Sequence, residues 1–334
     1  MNKFWRIPLI VLLAVSPAHA REQLRIVGSS TVFPFVAAAA EQFSRPGKFR
    51  TPIVEVNGTG GGFKMFCDGV GEAYPDIANA SRPIKKSEVE RCKQHGVEKI
   101  TEIKLGYDGI VFANALASPN YTLSRKLIFL ALARQVPKDG KLVPNPYTNW
   151  HQIDPSLPDT PIEVYGPPPA EGTRDAFVEM VMQESCKEFP EYAKEYPDEN
   201  AYKQHCSILR EDGRFVELLG GNVMVQKLVN NPNGLGIFSY SFLDQNRTLV
   251  KANPVEGELP VVPAIIGHHY SVSRSLFVYV KGEHLGQTPG LAEFVRFLVS
   301  DASAGDDGFL AVKGLVPMGD PERKDMQSSA AALR

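Results

Sequence analysis

A chain of 334 residues with 36 Lys and Arg against 38 Asp and Glu has no basic excess for neutralising a polyanion, which excludes general nucleic-acid binding. Hydrophobic residues at 43% and charged residues at 22% are the balance of a folded soluble protein, not of a disordered one. The length holds one large domain or two ordinary ones, and a net charge of −2 still admits a small anion, because a few positioned donors suffice.

Residues 1–20 read as a secretory signal peptide. Lys3 and Arg6 precede Ile7 to Val15, which is apolar apart from Pro8, and Ala18-His19-Ala20 is a small-x-small cleavage pattern. The apolar run is too short to span a bilayer as a stable helix. The mature chain is expected to begin at Arg21 and to be exported.

Arg25 to Gly28 reads as a short strand. Ser29, Ser30 and Thr31 then offer a hydroxyl cap, Pro34 sits in a first turn, and an alanine-rich helix runs to Phe43. Pro52 to Val56 is a second strand, followed by the loop Asn57-Gly58-Thr59-Gly60-Gly61-Gly62 and a helix through Phe63 to Phe66. Asp76 to Ala80 is a third strand, ending at Ser81-Arg82-Pro83, and Ser87 with Glu90 predicts a capping box. Ile110 to Ala113 and Phe277 to Val280 are further strands. Asn145 to Pro161 reads as connection with one helical turn near Trp150. Pro161 to Tyr165 is a strand, a proline-rich loop follows, and Glu171-Gly172-Thr173-Arg174 opens another helix. Alternating strands and helices imply an α/β architecture. Residues from about Lys324 to Arg334 read as a polar, weakly ordered end.

The four cysteines, Cys67, Cys92, Cys186 and Cys206, suggest disulfides in an exported chain. Three pairings are possible. Cys67–Cys92 and Cys186–Cys206 are favoured, because each pair is close in sequence and falls within one proposed lobe. No CxxC or HxxxH spacing supports a zinc site, and His268 and His269, read as neighbours on a strand, would point to opposite faces.

One pattern recurs at Ser29–Thr31, at Thr59 and at Thr173: a strand, a glycine-containing loop with a hydroxyl, then a helix start. Helix starts carry unpaired N–H groups and the positive end of the helix dipole, so they bind anions. Taken singly, each is also an ordinary cap. The Gly58 to Gly62 run lacks both the Gly-Lys-Ser/Thr ending of a P-loop and the GxGxxG spacing of a dinucleotide site. No GxSxG elbow or paired-Asp metal motif marks a hydrolase, so no catalytic residue, metal ligand or cofactor is assigned.

Seven stretches together resemble the periplasmic high-affinity phosphate-binding proteins. They are Gly28-Ser-Ser-Thr-Val-Phe-Pro, Asn57-Gly-Thr-Gly-Gly-Gly, Asp76-Ile-Ala-Asn-Ala-Ser-Arg-Pro, Glu171-Gly-Thr-Arg, Asn231-Pro-Asn-Gly-Leu-Gly-Ile-Phe-Ser-Tyr, Tyr270-Ser-Val-Ser-Arg-Ser-Leu-Phe-Val-Tyr and Gly314-Leu-Val-Pro. They keep the family's order over nearly the whole mature chain. The resemblance implies an α/β, two-lobed periplasmic-binding-protein fold, with two crossover strands forming a hinge and a ligand cleft between the lobes. It places the crossovers near Tyr107–Phe112 and Gly267–Arg274. Lobe one would be discontinuous, 21–110 plus 270–334, and lobe two would be 111–269. Phosphate would meet Ser30, Thr31, the Val32 backbone, Thr59, Ser81 and Arg82 from lobe one, and Glu171, Gly172, Thr173 and Arg174 from lobe two. The implied partners of this monomer are inorganic phosphate and the permease subunits of an ABC transporter.

Two positions depart from the family pattern. Arg82 stands where a strand-end Asp usually accepts the phosphate proton, and Glu171 replaces the Ser of Ser-Gly-Thr. Glu171 is therefore expected to accept that proton, with Arg82 and Arg174 balancing its charge. The competing functions are a secreted phosphatase or other phosphate-handling hydrolase, and a non-transport extracellular protein that retains the fold.

Overall fold

The computed structural model describes residues 23–169 and 171–334, so the expected signal peptide and the start at Arg21 lie outside the described residues. Three short apolar runs bounded by glycine, proline and polar residues form β1 (Arg25–Gly28), β2 (Ile53–Val56) and β3 (Ile77–Ala80). They pair in parallel with β1 in the middle, and the connections are the helices α1 (Phe33–Ser44), between β1 and β2, and α2 (Gly58–Cys67), between β2 and β3. Helices on both faces explain why β1 from Ile26 onward and all of β3 are buried at successive positions instead of alternating. After α3 (Lys86–Gln94), β4 (Ile100–Ala115) runs for 16 residues, about 50 Å of extended chain.

From Ile100 to Gly109, β4 pairs antiparallel with β11 (Ser273–Lys281), which also pairs with β3. From Ile110 to Ala113 it pairs instead with β9 (Leu235–Ser239). The strand thus passes out of one half of the sheet and into the other. The second half continues through β7 (Val164–Gly166) and β8 (Phe215–Glu217), while β10 (Val250–Ala252) lies along the end of β4. After α4 (Arg125–Leu132), a separate hairpin joins β5 (Gln135–Lys138) to β6 (Lys141–Pro144). The return crossing lies against the first, because Ile110 N donates to Val272 O at 3.0 Å and Tyr270 Oη donates to Ile110 O at 2.8 Å.

Two separate cores correspond to two lobes. Ile26, Val36, Ile77, Val278 and Phe294 pack in one, with a satellite around Phe63, Phe66 and Tyr279. Phe112, Phe129, Trp150, Phe177 and Ile237 pack in the other. Each lobe carries one of the two disulfides, Cys67–Cys92 and Cys186–Cys206, the pairing favoured from the sequence. Cys67–Cys92 closes a chain segment of 25 residues, so Cys67→Ser with Cys92→Ser is expected to lose about 3–4 kcal/mol of stability. Denaturant unfolding of both proteins measures the loss, and four free thiols by intact mass in exported material would remove its basis.

Four local expectations are corrected. The C-terminal end is a helix, Asp320–Ala331, not a loose tail. Its composition is polar, but Met326, Ala330 and Leu333 are spaced to make one apolar contact line, and Ala330 and Leu333 are buried in the lobe-one core. Glu322 on this helix accepts from Tyr107 Oη at 2.6 Å and Lys104 Nζ at 2.5 Å, which fastens it to β4. The α3 box is displaced from Ser87 and Glu90: Lys85 is the N-cap residue and its N–H donates to Glu88 at 2.8 Å. His268 is in a positive-φ turn (φ 55°), so the two histidines precede the strand. Residues 58–62 are helical, because Gly62 packs directly on Gly28; a Cβ at Gly62 would lie 2.5 Å from the Gly28 Cα. That close approach of helix to strand, not a ligand, requires glycine there.

Candidate anion site between the lobes

Between the lobes lies a cleft of about 550 Å³. Lobe one supplies its floor from the turn between β1 and α1. The N-cap of α1 is Val32, and no side chain caps it; the Phe33 N–H is taken instead by the Ser29 carbonyl at 3.0 Å. The expected hydroxyl cap is therefore replaced by a backbone bond, which leaves Ser30 and Thr31 free to line the cleft. Lobe two supplies Glu171, Gly172 and Thr173, at the start of α5 (Gly172–Phe177). The helical path continues without a break to Cys186, passing through a π-helical segment, Val178–Gln183.

The two motifs are in contact across the cleft. A Cβ added to Gly172 would lie 3.0 Å from the Ser30 carbonyl oxygen and 3.1 Å from the Thr31 Cα. Ser30 Oγ donates to the Asp175 carboxylate of α5. A Cβ here would force α5 and the β1–α1 turn to part by a few tenths of an ångström.

Two further charged groups, which the recurring strand–loop–helix pattern does not reveal, come from the crossover strands. Asp108 of β4 lines the cleft and is 5% exposed. Arg274 of β11 places Nε 4.0 Å from its carboxylate, donates from Nη2 to Thr31 Oγ1 at 2.6 Å, and pairs through Nη1 with Glu179. Burial pushes the Asp108 carboxyl above the usual carboxylate range, against the lowering effects of Arg274 and a backbone N–H from Gly109. The Arg274 Nε is itself buried without a hydrogen-bond partner among the described residues. Lys313 and Ser239 complete the polar lining. A signal for the missed pair did exist: Asp108 is an ionisable residue inside the otherwise apolar run Leu105 to Ala113, at the expected crossover. Arg274 lies inside one of the stretches that carry the resemblance.

The other sequence candidates are placed differently. Thr59 and Ser81 are buried and bonded to each other, Oγ1 to Oγ at 3.0 Å, and Thr59 Oγ1 also accepts from the Ser81 N–H. Neither is among the residues lining the cleft. Arg82 forks onto Glu88 at 2.9 and 2.7 Å and stacks over Phe63. Arg174 turns away to Glu217 and the Pro167 carbonyl, with its guanidinium over Phe215. The expectation that these two arginines balance Glu171 is corrected: a carboxylate nearer to each on its own lobe has already claimed it. Among the described residues no group of three or more His, Cys, Asp or Glu side chains could hold a metal ion.

Comparison with known proteins decides the family. The sequence matches the PBP superfamily domain over residues 14–302. The chain belongs to the PBP superfamily. Among relatives of this PBP chain, protein SphX of Synechococcus elongatus is 31% identical over 298 residues, covering 87% of this chain and 77% of SphX. The phosphate-binding protein PstS of Staphylococcus saprophyticus is 29% identical over 293 residues, covering 85% of this chain and 79% of PstS. Among solved structures, a possible phosphate binding protein from Planctomyces limnophilus superposes with a TM-score of 0.74 at 27% identity, covering 92% of this chain and 97% of that one. The two-lobed α/β architecture is thus that of the superfamily. Among the described residues of this PBP chain, no helix is long and apolar enough to cross a membrane.

Proposed function

We propose that this protein is a periplasmic solute-binding protein that captures inorganic phosphate between its lobes and delivers it to the permease subunits of an ABC transporter. The observation that carries the reading is the meeting of Ser30 and Thr31 with Gly172 and Thr173 across one cleft, beside the Arg274 guanidinium. Hydroxyls and helix-start N–H groups from both sides suit a tetrahedral oxyanion, and the arginine supplies charge and a planar fork of donors. The phosphate-binding names of the relatives point the same way. In this reading lobe one is 21–110 plus 270–334 and lobe two is 111–269, and β4 with the Tyr270–Ser273 segment acts as the hinge. The protein works as a monomer and as a receptor, not as an enzyme, after export by its N-terminal signal.

Calorimetry and thermal shift on ligand-stripped protein test this. Phosphate at about a thousandfold excess over Kd should add about 4 kcal/mol to stability, a rise of several degrees in Tm. Solution scattering should show a smaller radius with phosphate than without. An unchanged radius at saturation would count against closure, and no heat at any phosphate concentration would sink the reading. Turnover of a generic phosphate ester, with or without added metal, would favour the hydrolase.

A further inference from the structure

We infer that Asp108, on the first crossover strand, is the group that accepts the proton of the bound oxyanion, with Arg274 on the second crossover as its counter-charge. The inference rests on the phosphate reading above and names the residue that sets its selectivity.

The cleft is rich in carboxylates for an anion site: Asp108, Glu171 and Asp175 line it, and Glu179 reaches it through Arg274. An ionised carboxylate beside an anion is unfavourable unless it accepts a proton from that anion or is fully paired. Phosphate near neutral pH carries at least one O–H, whereas sulfate carries none. The four carboxylates differ in what already satisfies them. Asp175 accepts from Ser30, and Glu179 is bonded to Arg274. Glu171 has lost both arginines that could have balanced it, since Arg82 is bound to Glu88 and Arg174 to Glu217.

Asp108 is the deeply buried one of the four, and its cation stands 4.0 Å away, too far for a hydrogen bond. Arg274 Nε, facing it, is a buried donor with no acceptor among the described residues. A protonated oxyanion satisfies both at once: one bare oxygen accepts from Arg274 and the neighbouring O–H donates to Asp108. Sulfate can meet the arginine but leaves the Asp108 carboxylate against a bare oxygen. A site with a buried polar group left unpaired rejects the analogue strongly.

Phosphate and sulfate affinities of the unaltered protein, Asp108→Asn and Glu171→Gln, measured by calorimetry, test the assignment. Asp108→Asn should weaken phosphate by roughly thirtyfold or more and narrow the phosphate-over-sulfate ratio by at least about tenfold, while Glu171→Gln should leave that ratio within about threefold. A ratio unchanged in Asp108→Asn, or one collapsed by Glu171→Gln instead, overturns the assignment and leaves phosphate capture standing. Absence of phosphate binding by the unaltered protein overturns both. A crystal structure of the unaltered protein with phosphate gives an answer that does not depend on a variant folding. A phosphate oxygen about 2.7 Å from an Asp108 carboxylate oxygen supports the inference, and none closer than about 3.5 Å overturns it.

Discussion

Arg274→Ala should cost more binding than any other single substitution in the cleft, weakening phosphate and sulfate alike by roughly a hundredfold or more. The guanidinium is 11% exposed and serves three neighbours, Thr31, Glu179 and Asp108. Truncating one member of a buried charge pair costs about 2–5 kcal/mol, largely because the other charge is left behind. Here the group left behind is Asp108, whose carboxyl burial already holds above the usual range. Without the arginine it moves further up, so the native state binds a proton that the unfolded state releases. Stability of the variant should therefore fall as pH rises between the unfolded and native values, the reverse of an ordinary salt-bridged aspartate. Arg274→Lys keeps the charge but loses the fork, and should restore only part of the affinity. Calorimetry at one pH and thermal unfolding across several provide the two readouts. Binding by Arg274→Ala within about threefold of the unaltered protein would show that the cleft does not depend on this cation.

Gly172→Val is the second large effect, and it acts by shape. The new Cβ would sit 3.0 Å from the Ser30 carbonyl oxygen and 3.1 Å from the Thr31 Cα, and the two γ-methyls would reach further. Those neighbours are backbone atoms, so no rotamer change relieves the contact, and the lobes must stay apart. Gly172 does not have a positive φ, and valine is no poorer a helix former than glycine, so the open form accommodates it. The ligand-free Tm should stay within about 2 °C, phosphate affinity should drop by roughly a hundredfold, and scattering should show no compaction on ligand addition. Gly172→Ala, with one carbon to fit, should fall between. Full compaction of the valine variant would show that the lobes close along a different path.

What could be read in the sequence followed the range of the forces involved. β1, β2 and β3 are short apolar runs between strong punctuators, and local pattern identifies them. The disulfide pairing was legible because export makes cysteines pair and each partner is nearby in sequence. That Ser30, Thr31, Gly172 and Thr173 line a cleft was legible, because a strand–loop–helix junction fixes where its own residues point. Long side chains are different. The guanidinium groups of Arg82 and Arg174 follow Glu88 and Glu217. Nothing local says whether a flexible cation will choose a ligand or a neighbour. Asp108 and Arg274 are distant in sequence and become one feature only when β4 and β11 pair. The C-terminal helix was hidden because its few apolar positions were outweighed by polar composition.

The position of β11 has a consequence for how the molecule can be made. It is inserted between β3 and β4, near the end of the chain. Until residue 281 is available, β3 and β4 each present an unpaired edge to one another across an empty slot. All the strands of lobe two, by contrast, are complete by Ala252. A chain that leaves a translocation channel amino end first therefore exposes a second lobe with all its strands beside a first lobe that lacks one. The long-range pairing of β11 must wait for the last part of the chain, which makes it a slow, high-contact-order step. The buried stretch Ser275 to Lys281 then seals the sheet and brings Arg274 to Asp108 in the same movement, leaving the Lys313 side of the cleft to follow.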